Sequence, residues 1–225
     1  MIIIRQKEYG LRDKVANWLS KSIEKDREAA NKSHTKAIME RRKIDVNDDI
    51  QTVRRLRSAG KARRTLVKQN IDNSVHDNIN ISFKGKSGYF RNRIEYKPDF
   101  GSSGLAHEIG HTIEREEGSK FGKLIDKLSD RARTDQRKTM NSDEKGIITS
   151  AKRFIQGKLI NENEKRASKR GIELLKKVKA DNELINHSKE ALDGSFGTYK
   201  HIAKINYKTP LYNLIKSKKK GGNNV

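Results

Sequence analysis

Gly104-Leu105-Ala106-His107-Glu108-Ile109-Gly110-His111-Thr112-Ile113 is the stretch on which the reading of this chain turns. Two histidines four residues apart fall on one face of a helix, roughly 6 Å from each other, so their imidazoles converge on a single metal ion. Glu108 follows the first histidine by one residue, where its carboxylate reaches a metal-bound water without becoming a ligand. Leu105, Ile109, Gly110, Thr112 and Ile113 carry no charge. In a chain that is 36% charged, ten consecutive positions whose only titratable groups are the motif's own mark a helix buried on both sides. Ser102 or Ser103 supplies its N-cap.

The composition narrows which ligands can join these two. The chain has no cysteine, so a metal is held by imidazole and carboxylate, and zinc is the expected ion. The absence of thiols fits a reducing compartment. With 225 residues and 32% apolar content, the chain suits one domain with an elaborated helical extension, much of it solvated helix face. Met1-Ile2-Ile3-Ile4 is too short for a signal-peptide core and lacks a preceding basic segment. It reads as a short β-strand. No segment approaches a membrane span in length, and the expected location is the cytoplasm.

Outward from the motif, apolar spacing predicts helices over 11–42 and 48–69 upstream. Downstream helices are predicted near 102–117, 119–137, 143–158, 160–180 and 183–203. Between 79 and 96 the period falls to two: Ile79, Ile81 and Phe83, a Gly85-Lys86-Ser87-Gly88 turn, then Phe90, Ile94 and Tyr96. This predicts a β-hairpin ending at Pro98, with an extended stretch beside the motif helix. The expected fold class is therefore α+β and mostly helical. An N-terminal strand and helical extension cover 1–78, the metal-binding core covers 79–210, and a basic disordered tail covers 211–225.

The motif resembles the active-site helix of the zincin metallopeptidases, in which an edge strand precedes HExxH and binds the substrate backbone. A metzincin would carry Gly at position 114 and His at 117, where this chain has Glu114 and Glu117. Gluzincins take a third ligand from NExxA followed by Asp, and Asn163-Glu164-Lys165-Arg166-Ala167-Ser168 is similar to that pattern. The resemblance nominates Glu164 as third ligand, with Glu162 and Glu114 as alternatives. Glu114 shares the face of the two histidines but lies about 10 Å along the axis from His107. Ser168 stands where the family has Asp. A hydroxyl still accepts a hydrogen bond from a ligand imidazole but lacks the charge that strengthens the pairing. The resemblance also points to Tyr199 or His201, beyond the third ligand, as oxyanion stabilisers. It implies a zincin-like core and a zinc peptidase in which Glu108 is the base.

A formal charge of +22 favours nucleic acid, an acidic protein or anionic lipid as neighbours. Arg54, Arg55, Arg57, Lys61, Arg63, Arg64 and Lys68 form a basic stretch which, with the lysine-rich tail from Lys216 to Lys220, suits non-specific attraction to phosphates. No helix-turn-helix, zinc-finger or RNP-like motif accompanies it. His34, His76 and His187 sit in polar surroundings and read as surface residues. In style the chain resembles phage and prophage proteins of low-GC gut bacteria. That resemblance implies a host cytoplasm or a virion as its setting. It also supplies an alternative function: a structural or nucleic-acid-associated virion protein that retains the metal-site core.

Overall fold

The computed structural model describes residues 2–70, 80–82, 88–90, 93–95, 101–139 and 146–220, with side chains at 10–59, 101–135 and 146–217. Six helices dominate: α1 (Ile2–Arg42), α2 (Val46–Asn70), α3 (Gly101–Glu117), α4 (Lys120–Thr139), α5 (Ile147–Lys177) and α6 (Asn182–Lys220). The fold is all-α, which overturns the expected α+β class and its zincin-like core. Among the described residues, extended backbone is confined to β1 (Asn80–Ser82), β2 (Gly88–Phe90) and β3 (Arg93–Glu95). The three pair in the order β1-β3-β2.

The pairing differs from the expected hairpin as well. β1 runs parallel to β3, with Ile81 opposite Ile94, and β2 is antiparallel to β3. Ile79, Phe83, Tyr96 and Pro98 lie outside the described residues. The expected N-terminal strand is also corrected, because Ile2 to Lys7 belong to the first turns of α1. The two helices expected at 143–158 and 160–180 are one, α5. Nothing in its sequence forbids this, since proline is absent and Gly157 serves a close approach to Ala203, 2.8 Å from where a Cβ would sit. No helix among the described residues is long and apolar enough to cross a membrane.

The chain divides into two compact units. One comprises Met1–Ser33, Lys127–Asn161 and Gly197–Val225; the other comprises His34–Asp126 and Glu162–Phe196. In the first unit α1 buries Leu19, Ile23, Asp26 and Ala30, a stripe at helical spacing. Asp26 meets α6 through His201 at 3.0 Å and Lys208 at 2.5 Å. Val15 and Trp18, apolar residues of the same helix, stand in solvent.

The second unit holds the motif helix. Its core gathers Val53 and Leu56 of α2, Leu105, Ala106, Ile109 and Ile113 of α3, Leu174 and Leu175 of α5, and Leu184 and Ile185 of α6. Helix ends here are closed by local chemistry. Asp45, Ser119 and Asp181 accept from the first amides of α2, α4 and α6, which satisfies donors a helix start leaves open. α5 ends with Lys179 at φ 55°. The Lys179 amide donates to Lys176 O and the Ala180 amide to Leu175 O, each at 3.0 Å. That is a Schellman closure with lysine at the position glycine usually takes.

Candidate metal centre

α3 and α5 cross through small residues. A Cβ on Gly110 would overlap the carbonyl oxygen of Ala167 and lie 3.0 Å from the Gly171 nitrogen. A Cβ on Gly171 would lie 2.8 Å from the Ala106 oxygen and 3.0 Å from the His107 nitrogen. Each helix therefore contributes a small pair four residues apart, Ala106/Gly110 and Ala167/Gly171. Beside each small pair runs a functional pair in the same register: His107/His111 on α3 and Glu164/Ser168 on α5. Backbones brought this close carry their neighbouring side chains into contact. The small pairs were open to view in the sequence, but Gly110 was read there only as an uncharged flank.

At the crossing, His107 Nε2 lies 3.0 Å from Glu164 Oε2, and His111 Nε2 lies 3.8 Å from Glu164 Oε1. The two imidazoles meet edge to face with centroids 4.8 Å apart. One nitrogen from each histidine and one carboxylate oxygen all lie within 4.8 Å of one another. Ligand atoms about 2.0–2.1 Å from a tetrahedral zinc stand roughly 3.4 Å apart, so the pair at 3.0 Å would open slightly, the pair at 3.8 Å would close slightly, and the widest separation, at most 4.8 Å, would close by up to about 1.4 Å. Two imidazoles and one carboxylate, with no thiolate, are also a donor set used at catalytic zinc sites with an open fourth position. The residues fit the ion.

His111 and Glu164 are almost completely buried, at 3% and 5% exposure, and His107 is half-buried. Burial by itself pushes the Glu164 carboxyl up. Hydrogen bonds and charge from His107 and His111 outweigh it and hold the group well below the ordinary carboxylate range. The buried carboxylate is thus held in its ionised form. Ser168 Oγ lies 3.2 Å from His107 Nδ1, where the resemblance leads one to expect an Asp. A hydroxyl donates or accepts, so it serves Nδ1 whichever ring nitrogen carries the proton, whereas an ionised carboxylate serves only an N–H. Glu108 follows His107 on α3 and is half-buried.

The alternative ligands are occupied elsewhere. Glu114 is buried and accepts from Arg166 and Arg170 of α5, both at 3.1 Å. Glu162 pairs with Arg166 at 3.1 Å. Neither belongs to the metal group. Asn163 of the NExxA pattern donates to Asp126 of α4 at 3.3 Å, and the same carboxylate holds Arg115 at 2.7 Å. Tyr199 and His201 belong to the other compact unit. There His201 hydrogen-bonds Asp26. The oxyanion role given to these two rests on the resemblance alone.

The expected N-cap of α3 is corrected too. Ser102 and Ser103 lie inside its first turn, and the Ser102 amide donates to Asp49 Oδ1 of α2 at 2.6 Å. Gly101, at φ 58°, turns the chain into the helix against that same carboxylate. His187 is also more than a surface residue. It is half-buried and joins α6 to Glu40 of α1 at 2.9 Å. In the basic stretch of α2, Arg55 donates to the Lys179 carbonyl at 3.2 Å, so it also closes the end of α5. The side chains of Lys61, Arg63, Arg64 and Lys68 lie outside the described residues.

No family model, curated protein or solved structure matches the chain. A functional reading therefore rests on the residues and geometry of the centre.

Proposed function

We propose that this protein is a zinc-dependent hydrolase acting on peptide bonds, with His107, His111 and Glu164 as metal ligands and Glu108 as general base. The observation that carries the reading is the convergence of the two motif histidines with the carboxylate nominated by the NExxA match. The proposal concerns the site, which is of the gluzincin type in its motifs, and not the fold, which is all-α. When bound, zinc lowers the pKa of a coordinated water towards neutrality and polarises a scissile carbonyl.

The chain's own residues divide the remaining work. His107 and His111 present Nε2 to the ion, and Ser168 orients the His107 ring through Nδ1. Glu164, ionised in its buried setting, would hold the ion with one negative charge. Glu108 accepts a proton from the attacking water and returns it to the leaving amine. A purely structural zinc site has no need of a carboxylate at position 108, which favours the enzymatic reading over a structural one.

The test separates binding from chemistry. Glu108→Gln is expected to keep the zinc of the wild type and to lose at least about a hundredfold in the hydrolysis of a peptide library read by mass spectrometry. Wild-type cleavage that survives this substitution removes Glu108 as the base. A zinc-loaded wild type that cleaves nothing across the library removes the peptidase reading.

A further inference from the structure

The first half of α5, within the first compact unit, is turned the wrong way for an isolated protein. One side faces α6: Ser150 Oγ donates to Tyr207 O at 2.6 Å, Phe154 meets Tyr207 edge to face, and Gly157 approaches Ala203. A second side faces α4, where Asp135 receives Gln156 at 3.4 Å and Lys152 at 3.4 Å. These inward sides bury Ser150, Gln156 and Gly157, which are small or polar. The third side carries the large aliphatic groups. Ile147, Ile148 and Ile155 are 70%, 86% and 59% exposed.

Ile148, Ala151 and Ile155 follow one another at spacings of three and four, with Ile147 beside the first of them. This is the spacing by which one helix presents a seam to another. The row spans about two turns, on the order of 10 Å. Lys158 borders it and is exposed, in a chain of net charge +22, while Lys152 on the α4 edge already pairs with Asp135. A second copy of so basic a surface is repelled, whereas Asp and Glu flanking an apolar row complement it.

We infer that the outward side of α5 formed by Ile147, Ile148, Ala151 and Ile155 is a docking surface for an acidic amphipathic helix of another protein. Its aliphatic row would cover the isoleucines and its carboxylates would meet Lys158. The inference is independent of the metal centre.

The test uses the full-length protein against a displayed library of 18-residue helical peptides. Ile148→Asp/Ile155→Asp serves as counter-selection, and its helical circular dichroism should match the wild type because both side chains are exposed. Enriched peptides should carry apolar residues at spacings of three and four flanked by Asp or Glu. They should bind the double variant about tenfold more weakly or worse, given the apolar area two isoleucines cover. Enrichment of basic or non-helical sequences, or of binders indifferent to the double variant, overturns the proposal. So does wild-type self-association in sedimentation that the double variant abolishes, because the occupant is then a second copy. Binding to phosphatidylglycerol vesicles that depends on the two isoleucines, with no peptide enriched, overturns it in favour of a membrane surface.

Discussion

Replacing Gly110 by alanine adds one methyl group at the place where α3 and α5 are closest. The new Cβ overlaps the carbonyl oxygen of Ala167, part of a helix backbone and unable to rotate away as a side chain would. Ordinary contact between such atoms is about 3.5 Å, so the helices must part by roughly an ångström. Overpacking of this kind costs about 1–3 kcal/mol, and alanine returns up to about 1 kcal/mol in helix propensity. The expected net loss is about 1–2 kcal/mol, read as a fall in melting temperature of about 2–4 °C for each kcal/mol in a chain of this size. A larger effect falls on the metal. Displacing α3 carries His107 and His111 away from Glu164, and ligand distances are tolerated only to within about 0.2 Å. Zinc affinity should therefore fall at least about tenfold. Gly10→Ala supplies the control, because nothing beyond its own turn of helix lies within 4 Å of a Cβ there. The same exchange at that position should stabilise by about 0.5–1 kcal/mol and leave zinc binding unchanged. Calorimetry and zinc titration of both variants decide the matter. A Gly110→Ala protein as stable as the Gly10→Ala protein, with undiminished affinity, would refute the small-residue crossing as the device that assembles the site.

Two further predictions concern the frame. Lys179→Gly should raise stability by about 1 kcal/mol, since lysine holds a left-handed conformation at φ 55° that costs a side-chain-bearing residue about that much, and urea denaturation measures it. Burial pushes the Asp26 carboxyl up, but hydrogen bonds from Lys208 and His201 outweigh it and lower the pKa. The stability Asp26 confers is thus complete above the pKa of an unfolded aspartate, about 3.9, and is lost as pH falls through the lowered folded value. The stability gap between wild type and Asp26→Asn should close as pH falls from about 4 towards 2; a gap that stays fully open at pH 2 contradicts the assignment.

The helices were legible because their apolar residues recur at helical spacing, and the motif histidines because the helix sets their distance. What escaped was decided between segments distant in sequence. Alternation over 79–96 signals extended backbone but not how many residues pair, and pairing of three residues per strand leaves the helices to define the class. The β-branched run Ile2-Ile3-Ile4 favours a strand locally, yet Gly10, the one punctuating residue before the helix that follows, does not break it, and α1 absorbs the run. Ser102 and Ser103 have the chemistry of an N-cap, but Asp49, fifty-three positions earlier, takes the role. The proposed third ligand, Glu164, became accessible only through the family resemblance. Spacing alone could not choose among Glu114, Glu162 and Glu164, because the choice depends on Arg166 and Arg170 drawing Glu114 away.

The central claim is that His107, His111 and Glu164 form one metal site, and zinc stoichiometry measured by mass spectrometry on protein equilibrated at low micromolar zinc tests it most directly. Wild-type protein should retain about one zinc per chain, since two imidazoles and a carboxylate make one site. His107→Ala and His111→Ala should retain none, Glu164→Ala should lose most, and Glu162→Ala should match the wild type. Full zinc in either histidine variant, or a Glu164→Ala protein that binds as well as wild type while Glu162→Ala does not, would contradict the site as described.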